Sequence, residues 1–314
     1  MSFETILPFL RPIAHLIQDP TISEVMVNGS GSVFVEREGI VQAIPDVTVR
    51  EHNLRVAVRN LARALGDDVS EERPLLDARL PDGSRVAAAV PPVSLGGTTL
   101  TIRKFQSHHF TADELVRLGT LTADQLQILG EAIDHRDNIL ISGGTGTGKT
   151  TLLNALAVFL PPEDRLVVIE NIAELQLTAS NLVRFEARRE QEGSAAVTIR
   201  ELLKATLRHR PDRIILGEVR GGEAYDLLEA LNTGHSGTLS TIHANSAARA
   251  LSRLASCALQ SGVDLPYTAI RHAIAECIQM VVHLERRQAR RVVSEMVRVR
   301  PYNPTTDQYE LEFV

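Results

Sequence analysis

A run of glycines and threonines that ends in Lys-Thr constrains this chain most. It reads Gly143-Gly144-Thr145-Gly146-Thr147-Gly148-Lys149-Thr150 and lies between an apolar strand-like stretch, residues 138–142, and a helix-like stretch, residues 151–156. Glycines in such a turn let successive backbone N–H groups point at an oxyanion, and the helix that follows adds the positive end of its dipole. We therefore predict a phosphate-binding loop between a buried strand and a helix.

The spacing of this loop assigns roles to its polar side chains. Lys149 reaches the β- and γ-phosphates of a nucleoside triphosphate, and the Thr150 hydroxyl holds Mg²⁺. ATP and Mg²⁺ are thus the expected ligands. A Gly/Thr-rich surface turn is the alternative, but it leaves the coincidence of strand, spacing, Lys-Thr and helix unexplained. The residues predicted to bind the nucleotide are Gly143, Gly144, Thr145, Gly146, Thr147, Gly148, Lys149, Thr150 and Thr151.

The composition is that of a globular protein of two domains. Of 314 residues, 44% are hydrophobic and 23% charged, which excludes a disordered or fibrous chain. The formal charge of −6 argues against a protein that coats nucleic acid, although a local basic groove stays possible. Cys257 and Cys277 have no metal-site spacing and are expected to be buried thiols in a reducing compartment.

No apolar stretch predicts a secretory signal or a membrane span. Residues 1–20 carry charged side chains among the apolar ones, and no segment approaches the roughly 18 apolar residues that a membrane span needs. We therefore expect a cytoplasmic protein whose membrane association is peripheral or through a partner.

The first part of the chain predicts a small α+β domain, residues 1–104. Amphipathic helices are predicted over residues 6–17 and 54–65. Short strands are predicted over residues 24–28, 32–36, 85–90 and 98–102. Residues 105–121 are polar, contain His108 and His109 and are interpreted as an irregular linker, although Thr111 and Glu114 have capping-box spacing.

Residues 122–314 predict a second domain of the α/β class. Thr122 and Gln125 form a capping pattern that starts a helix ending near residue 134, and Thr198 and Glu201 start another that ends near 209. Further predicted helices are residues 222–231 and 246–260. Predicted strands are residues 166–170, 212–216 and 237–242, with antiparallel strands at 278–284, 291–300 and 308–314. This alternation of strand and helix favours a mostly parallel sheet covered on both faces.

A nucleoside triphosphatase also needs an acidic residue at the end of a neighbouring strand. Residues 214–218 supply it, since an apolar strand there ends in Gly217 and Glu218. Glu218 is predicted to bind Mg²⁺ through water or to orient the hydrolytic water. The motif is a variant, because such strands usually end in Asp.

Several further segments together resemble a known family. They are residues 82–86, 101–105, 168–175, 208–213, 217–224 and 234–245. They are similar to the ATPases that drive bacterial type IV and type II secretion and pilus machines, and most similar to the TrbB-type conjugal-transfer ATPases. The resemblance implies a RecA-like P-loop core that couples ATP hydrolysis to conformational work. It also implies a homo-hexameric ring that docks on inner-membrane components at the cytoplasmic face.

The same resemblance implies roles for residues outside the phosphate loop. Glu174 matches the catalytic glutamate that orients or deprotonates the attacking water. His243 matches the terminal histidine of the so-called His box, and both it and His235 are candidates for sensing the γ-phosphate. Asn171 departs from the family pattern, where Asp is common, and this weakens any direct metal-binding role for that segment.

Arginines complete the predicted catalytic set. Relatives bring arginines from the N-terminal domain over the nucleotide, and the matching residues here are Arg85 and Arg103. A guanidinium placed there neutralises charge in the transition state. Alternative candidates that act on a neighbouring subunit are Arg208, Arg210 and Arg220.

Three other functions stay open at this point. A small-molecule kinase uses the same loop, but no arginine-rich lid follows the core. A nucleotide-gated scaffold binds ATP and barely hydrolyses it. A DNA-translocating motor is disfavoured by the acidic balance, the absence of Trp and the 4% aromatic content, so no sequence-specific nucleic-acid contact is expected.

Overall fold

The computed structural model describes residues 7–37, 39–80, 82–105, 110–188, 190, 195–288 and 290–314, with Leu7 described in its backbone only. The chain divides into two compact units, Met1–His108 and His109–Val314. Each unit has its own sheet.

The first unit is a six-stranded antiparallel sheet with helices. Its elements are a 3-10 helix (Leu7–Ile13), α1 (Ala14–Gln18), β1 (Ile22–Val27), β2 (Ser32–Arg37), β3 (Ile40–Thr48), α2 (Glu51–Ala64), β4 (Leu75–Arg79), β5 (Arg85–Ala89) and β6 (Thr99–Arg103). The strand order is β3-β2-β1-β6-β5-β4. The α+β prediction is confirmed in its elements, but the sequence reading missed the two edge strands, β3 and β4.

The core of the first unit follows from its amphipathic elements. One stripe of α2 is buried, with Leu54, Val58 and Leu61 at helical spacing. Val25 of β1 and Ile102 of β6 are fully buried in the same cluster. Burial of one face of each element is what holds this sheet against its helices.

The second unit contains an eight-stranded sheet. Its elements are α3 (Ala112–Arg117), α4 (Ala123–Asp134), β7 (Ile139–Gly143), α5 (Lys149–Leu156), a 3-10 helix (Ala157–Phe159), β8 (Leu166–Glu170), β9 (Leu182–Glu186), α6 (Ile199–Thr206), β10 (Arg213–Val219), α7 (Glu223–Asn232), β11 (Leu239–Ile242), α8 (Ala247–Leu259), α9 (Tyr267–Cys277), β12 (Met280–Arg287), β13 (Arg290–Asn303) and β14 (Gln308–Phe313). The strand order is β14-β13-β12-β7-β11-β10-β8-β9. The sequence reading missed β9 and α9.

Strand β7 lies in the middle of this sheet. It pairs in parallel with β11 on one side and β12 on the other, and the parallel pairing continues through β10, β8 and β9. Strands β12, β13 and β14 form an antiparallel meander, as predicted. The carboxyl ends of the parallel strands therefore meet at one edge, where α/β proteins place their ligands.

Both faces of the sheet are covered. Leu129 of α4 and Leu152 of α5 pack in a core with Ile141 of β7. Leu227 of α7 and Leu254 of α8 pack in a second core. A sheet buried on both faces explains the continuous apolar runs that predicted its strands.

Capping boxes start three helices of this unit. Thr122 with Gln125 caps α4 and Thr198 with Glu201 caps α6, as predicted. Thr111 with Glu114 caps α3, a short helix in the segment interpreted as an irregular linker. That interpretation was wrong for residues 112–117, because the capping box and the burial of one helix face stabilise a helix there. His108 and His109 lie outside the described residues, and the domain boundaries stay a prediction.

Both cysteines are buried free thiols, as expected. Burial raises the pKa of Cys277 to about 11. Among the helices that the structure describes, none has both the length and the apolar character needed to cross a membrane.

Candidate nucleotide-binding site

The phosphate loop joins the end of β7 to the start of α5. Every residue of β7 is buried. Gly148 precedes α5 in a left-handed conformation, with φ of 94°, and Lys149 is the first residue of the helix. The N-terminal N–H groups of α5 and the positive end of its dipole are thus placed at the carboxyl edge of the sheet. The predicted order of strand, loop and helix is confirmed.

Lys149 is folded back over its own loop. Its side chain is buried, with 8% exposure, and Nζ donates to the carbonyl oxygens of Gly143 at 3.1 Å and Gly144 at 2.8 Å. Thr147 Oγ1 also donates to the Gly144 carbonyl, at 3.0 Å. A largely buried ammonium is therefore held against two backbone carbonyls, where low exposure to water strengthens its charge interactions.

The shape of the loop requires a glycine at its first position. A Cβ on Gly143 would lie 2.5 Å from the Leu284 carbonyl oxygen and 2.5 Å from Thr147 Oγ1. Such contacts cannot be relieved, because one partner is the backbone of β12. The close approach lets the chain turn tightly at the end of β7, and this turn makes the cradle that an oxyanion needs.

Glu218 lies near the carboxyl end of β10, beside the strand end of β11. One carboxylate oxygen accepts from Arg220 Nη2 at 2.7 Å. The other lies 3.0 Å from His243 Nε2, and His243 directly follows β11. Since β11 pairs with β7 as well as β10, these three side chains stand on the same edge as the phosphate loop.

The environment of His243 favours its neutral form. Burial lowers the pKa of His243, the charges of Lys149, Arg220 and Arg253 lower it further, and the Glu218 carboxylate opposes them. A neutral imidazole can donate one hydrogen bond to Glu218 without adding a charge.

A buried glutamate organises the predicted catalytic loop. Glu170 is 3% exposed, and its Oε1 accepts the backbone N–H groups of Glu174 at 2.7 Å and Leu175 at 2.8 Å. Its Oε2 lies 3.3 Å from Arg184 Nη2. Burial raises the pKa of Glu170, and the two backbone N–H groups and Arg184 oppose that rise. The sequence reading missed Glu170, although its position at the end of a buried strand was a usable signal.

The glycine before Glu218 has a packing reason. A Cβ on Gly217 would lie 3.1 Å from Cγ of Glu170. Glycine therefore lets the Glu170 side chain lie against β10 and reach the loop that carries Glu174. The hydrogen bond to Glu218 raises the pKa of Arg220, and the nearby carboxylate of Glu174 raises it further. The two acidic segments are thus neighbours in space.

A sequence model described as "Type II/IV secretion system protein" matches residues 9–308. The chain belongs to this family. Its predicted family membership is thereby confirmed. Conjugal transfer protein TrbB of Rhizobium radiobacter is 38% identical over 302 residues, which cover 94% of this chain and 88% of TrbB. Type IV secretion system protein PtlH of Bordetella pertussis is 40% identical over 292 residues, covering 85% of this chain and 86% of PtlH.

A solved structure supports the same relationship. The crystal structure of the VirB11 ATPase from the Brucella suis type IV secretion system, in complex with sulphate, is similar with a TM-score of 0.51 and 32% identity. The match covers 93% of this chain and 94% of the VirB11 chain. Secretion ATPases of this family therefore share both sequence and fold with this protein.

Arg85 and Arg103, the two arginines of the first unit that are predicted to approach the nucleotide, lie on neighbouring strands. Arg85 of β5 and Arg103 of β6 face each other in the antiparallel register, and Glu24 of β1 faces Arg103 on the other side. Arg85 Nη2 lies 3.7 Å from an Asp77 oxygen. Their role at a nucleotide stays a prediction.

Three candidate residues lie away from the phosphate loop. His235 precedes β11 and its Nδ1 lies 3.1 Å from the Ala230 carbonyl oxygen, at the amino end of the strand. This position, separated from the phosphate loop by the length of β11, does not support the expectation that His235 senses the γ-phosphate, and that role stays a prediction. Arg208 and Arg210 precede β10 at the same amino edge, whereas Arg220 follows β10 beside Glu218.

The metal prediction rests on two oxygen donors. Thr150 is the second residue of α5, and Glu218 lies in β10 near its carboxyl end. Among the described residues, no group of three His, Cys, Asp or Glu side chains could hold a metal by itself. The chemistry of a hydroxyl and a carboxylate fits Mg²⁺, which retains waters and takes its remaining ligands from phosphates.

A buried serine–histidine pair lies directly beneath the loop. Ser142 Oγ of β7 and His283 Nδ1 of β12 are 2.7 Å apart, and both residues are buried. Burial lowers the pKa of His283 and Lys149 lowers it further, while Glu295 and Glu285 oppose them. The sequence reading missed this pair because the two residues are 141 positions apart.

The buried His283 predicts a loss of stability in acid. Its folded-state pKa lies below the ordinary value of 6.5, so the unfolded chain takes up the proton first as pH falls. Stability is therefore lost as pH drops through about 6.5 towards the folded-state pKa. We expect Tm to fall between pH 7.5 and 5.5, and the fall to be smaller in His283→Asn, measured by thermal denaturation followed by circular dichroism. The exposed His52 provides the control His52→Asn, and equal pH slopes in all three proteins contradict the prediction.

Proposed function

We propose that this chain is an ATPase with a RecA-like P-loop core, whose nucleotide cycle performs conformational work in a bacterial type IV secretion or conjugal-transfer machine. The family membership supports the class of machine, as does the similarity to a conjugal transfer protein, TrbB, and to two type IV secretion proteins, PtlH and VirB11. The geometry of the phosphate loop supports ATP binding and hydrolysis as the reaction.

One observation carries the proposal. Lys149 Nζ lies buried on the Gly143 and Gly144 carbonyls, and at the adjoining strand ends His243 Nε2 lies 3.0 Å from the Glu218 carboxylate. A cation, a helix N-terminus and a carboxylate with a neutral imidazole thus converge at one edge of the sheet. Phosphoryl transfer depends chiefly on positioning and charge stabilisation, and this set supplies both.

In this proposal each residue has a defined task. Lys149 moves from its carbonyls to the β- and γ-phosphate oxygens, and Thr150 and Glu218 hold Mg²⁺, Glu218 through water. Bound Mg²⁺ neutralises phosphate charge. Glu174 orients or deprotonates the attacking water, on a loop whose backbone Glu170 holds in place.

His243 and Arg220 are suited to report hydrolysis. Both contact Glu218, so a change in the position of that carboxylate alters two hydrogen bonds at once. We propose that His243 and Arg220 couple the loss of the γ-phosphate to movement of β10 and β11. Arg85 and Arg103 are proposed to neutralise transition-state charge, and a homo-hexamer at the inner membrane is proposed by analogy with the family.

Phosphate release and particle mass test this function together. Purified protein with ATP and Mg²⁺ is expected to release phosphate without any acceptor metabolite, and to form a hexamer with a non-hydrolysable ATP analogue. Transfer to an added acceptor by a monomer points to a small-molecule kinase, and ATP binding without turnover at every oligomeric state points to a scaffold. Tight binding of single-stranded DNA at physiological salt points to a DNA motor.

A further inference from the structure

A glutamate of strand β13 contacts the helix that follows His243. Glu295 is half-buried, and its Oε2 accepts the backbone N–H of Ala247, the first residue of α8, at 2.8 Å. His243 begins the short segment that joins β11 to α8, so β11 fixes one end of this segment and the start of α8 fixes the other. The position of His243 beside Glu218 therefore depends on where α8 begins.

The contact of Glu295 with α8 is additional to the cap that the helix has of its own. Ser246 is the N-cap residue, and its Oγ accepts the Arg249 N–H at 3.1 Å. The second acceptor, Glu295, comes from a strand 48 positions further along the chain. A carboxylate there is also stabilised by the positive end of the helix dipole. Glu295 therefore joins the start of α8 to β13.

The strand that pairs with β13 supports the start of the phosphate loop. Glu295 faces His283 of β12 in the antiparallel register, so the two side chains lie on the same face of the sheet. His283 in turn faces Ser142 of β7, and its Nδ1 lies 2.7 Å from Ser142 Oγ. Both residues of this pair are buried, where each polar group needs its partner, and Ser142 directly precedes Gly143 of the loop. The start of the loop is thus held by the strand pair that carries Glu295.

Two further contacts join β12 and β13 to the loop. The register between these strands shifts between His283 and Leu284, and the Leu284 carbonyl oxygen approaches Gly143 so closely that only a glycine fits there. A bulge of this kind bends the strand and changes the direction of its side chains. Arg291 of β13 donates from Nε to the Gly146 carbonyl oxygen at 3.0 Å. The pair of β12 and β13 therefore contacts the phosphate loop at two places and the start of α8 at a third.

We propose that Glu295 is a positioning residue for ATP hydrolysis, which keeps the segment that carries His243 aligned with the phosphate loop. This inference rests on the proposed ATPase function, since it concerns the alignment of His243 and Glu218 with the loop. Glu295 touches no part of the nucleotide and acts only through the start of α8. Because β12 and β13 contact both the loop and α8, a displacement of the loop when phosphate leaves is transmitted to His243 through Glu295.

Removing the carboxylate should lower the rate of hydrolysis and spare nucleotide binding. Glu295→Ala is expected to lower kcat about tenfold, the loss that one hydrogen bond to a charged group produces, while KM for ATP changes less than about twofold. Glu295→Gln keeps an oxygen acceptor for the Ala247 N–H and is expected to restore kcat to within about threefold of wild type. The matched control is Glu312→Ala, because Glu312 of β14 is exposed and bonded to Arg300, and it is expected to leave both constants unchanged. Wild-type kcat in Glu295→Ala overturns the proposal.

A double-mutant cycle with His243→Ala separates positioning from general damage to the fold. Single-turnover hydrolysis is measured for wild type, both single variants and the double variant. We expect Glu295→Ala to cost about tenfold in the wild-type background but less than about twofold in the His243→Ala background, because it acts through His243. Equal losses in the two backgrounds overturn the proposal and leave the ATPase function intact, whereas a wild-type protein without ATP turnover overturns both.

Hydrogen–deuterium exchange gives a second readout that needs no turnover. In the nucleotide-free chain, Glu295→Ala is expected to speed exchange in peptides covering residues 244–250 and to leave peptides of β7 and β8 unchanged, because only the start of α8 loses an acceptor. Unchanged exchange at residues 244–250, or an equal rise in all three regions, overturns the proposal. If circular dichroism shows that Glu295→Ala does not fold, Glu295→Asp replaces it in both experiments with the same expected directions, since it keeps the charge and draws the acceptor back by one methylene.

Discussion

Replacing Lys149 with alanine is expected to lower ATP turnover by about 10² to 10³-fold, the range seen when one preorganised donor is removed from a charge-stabilising site. The ammonium lies buried on the Gly143 and Gly144 carbonyls, inside the loop that is proposed to hold the phosphates. Without it, the loop loses the positive charge proposed to bind the β- and γ-phosphates. Fluorescence titration with a labelled ATP analogue and phosphate release measure the two effects.

A second lysine on the same unit provides the control for Lys149→Ala. Lys204 lies on α6, is largely exposed and stands 3.6 Å from Asp226. Lys204→Ala removes the same charge far from the phosphate loop and is expected to leave nucleotide affinity and turnover unchanged. Circular dichroism checks that both variants are folded. Normal turnover in Lys149→Ala would remove the basis of the ATPase assignment.

Replacing Glu174 with glutamine is expected to lower turnover by about 10² to 10⁴-fold while ATP affinity stays close to wild type. Glutamine keeps the size of the side chain but loses its charge and its capacity to accept a proton, which are the properties that a water-activating group needs. Because Glu174 is held through its backbone N–H by Glu170, the loop itself should be unaffected. Single-turnover hydrolysis, measured beside equilibrium ATP binding, separates the two effects.

A change at Glu170 should give a different result from Glu174→Gln. Glu170→Ala leaves the N–H groups of Glu174 and Leu175 without their acceptor, and each unsatisfied buried group costs about 1–3 kcal/mol. Thermal stability and turnover should therefore both fall in Glu170→Ala, whereas Glu174→Gln should keep the Tm of wild type. If Glu174→Gln hydrolyses ATP normally, Glu218 is the next candidate for positioning the water.

Short-range sequence patterns predicted the helices and strands in which they lie. The capping spacing at Thr122 and Thr198 marks the starts of α4 and α6, because a capping box is formed by residues three positions apart. The apolar runs before the phosphate loop and at residues 166–170 predict β7 and β8, since both strands are buried on both faces. Such signals depend on neighbours in sequence and need no knowledge of the rest of the chain.

The strands and the helix that the sequence did not predict carry weaker sequence patterns. Strand β3 is exposed along most of its length, and β9 is half-buried or exposed throughout, so neither shows the apolar run or clear alternation that a buried strand requires. The helix α9 follows Pro266 without a side-chain cap. These elements are stabilised by pairing or packing with distant segments, which a window of ten residues cannot reveal.

The sequence alone predicted the phosphate loop, the family and the acid Glu218 near the end of β10, because each depends on a contiguous motif of adjacent residues. Only the tertiary structure decided which side chains share the site. It placed His243 against Glu218, Glu170 under the loop of Glu174, and Arg291 on Gly146, and it placed His235 at the opposite edge. The physical reason is that parallel strands bring together chain segments far apart in sequence, while residues a few positions apart can lie at opposite ends of one strand.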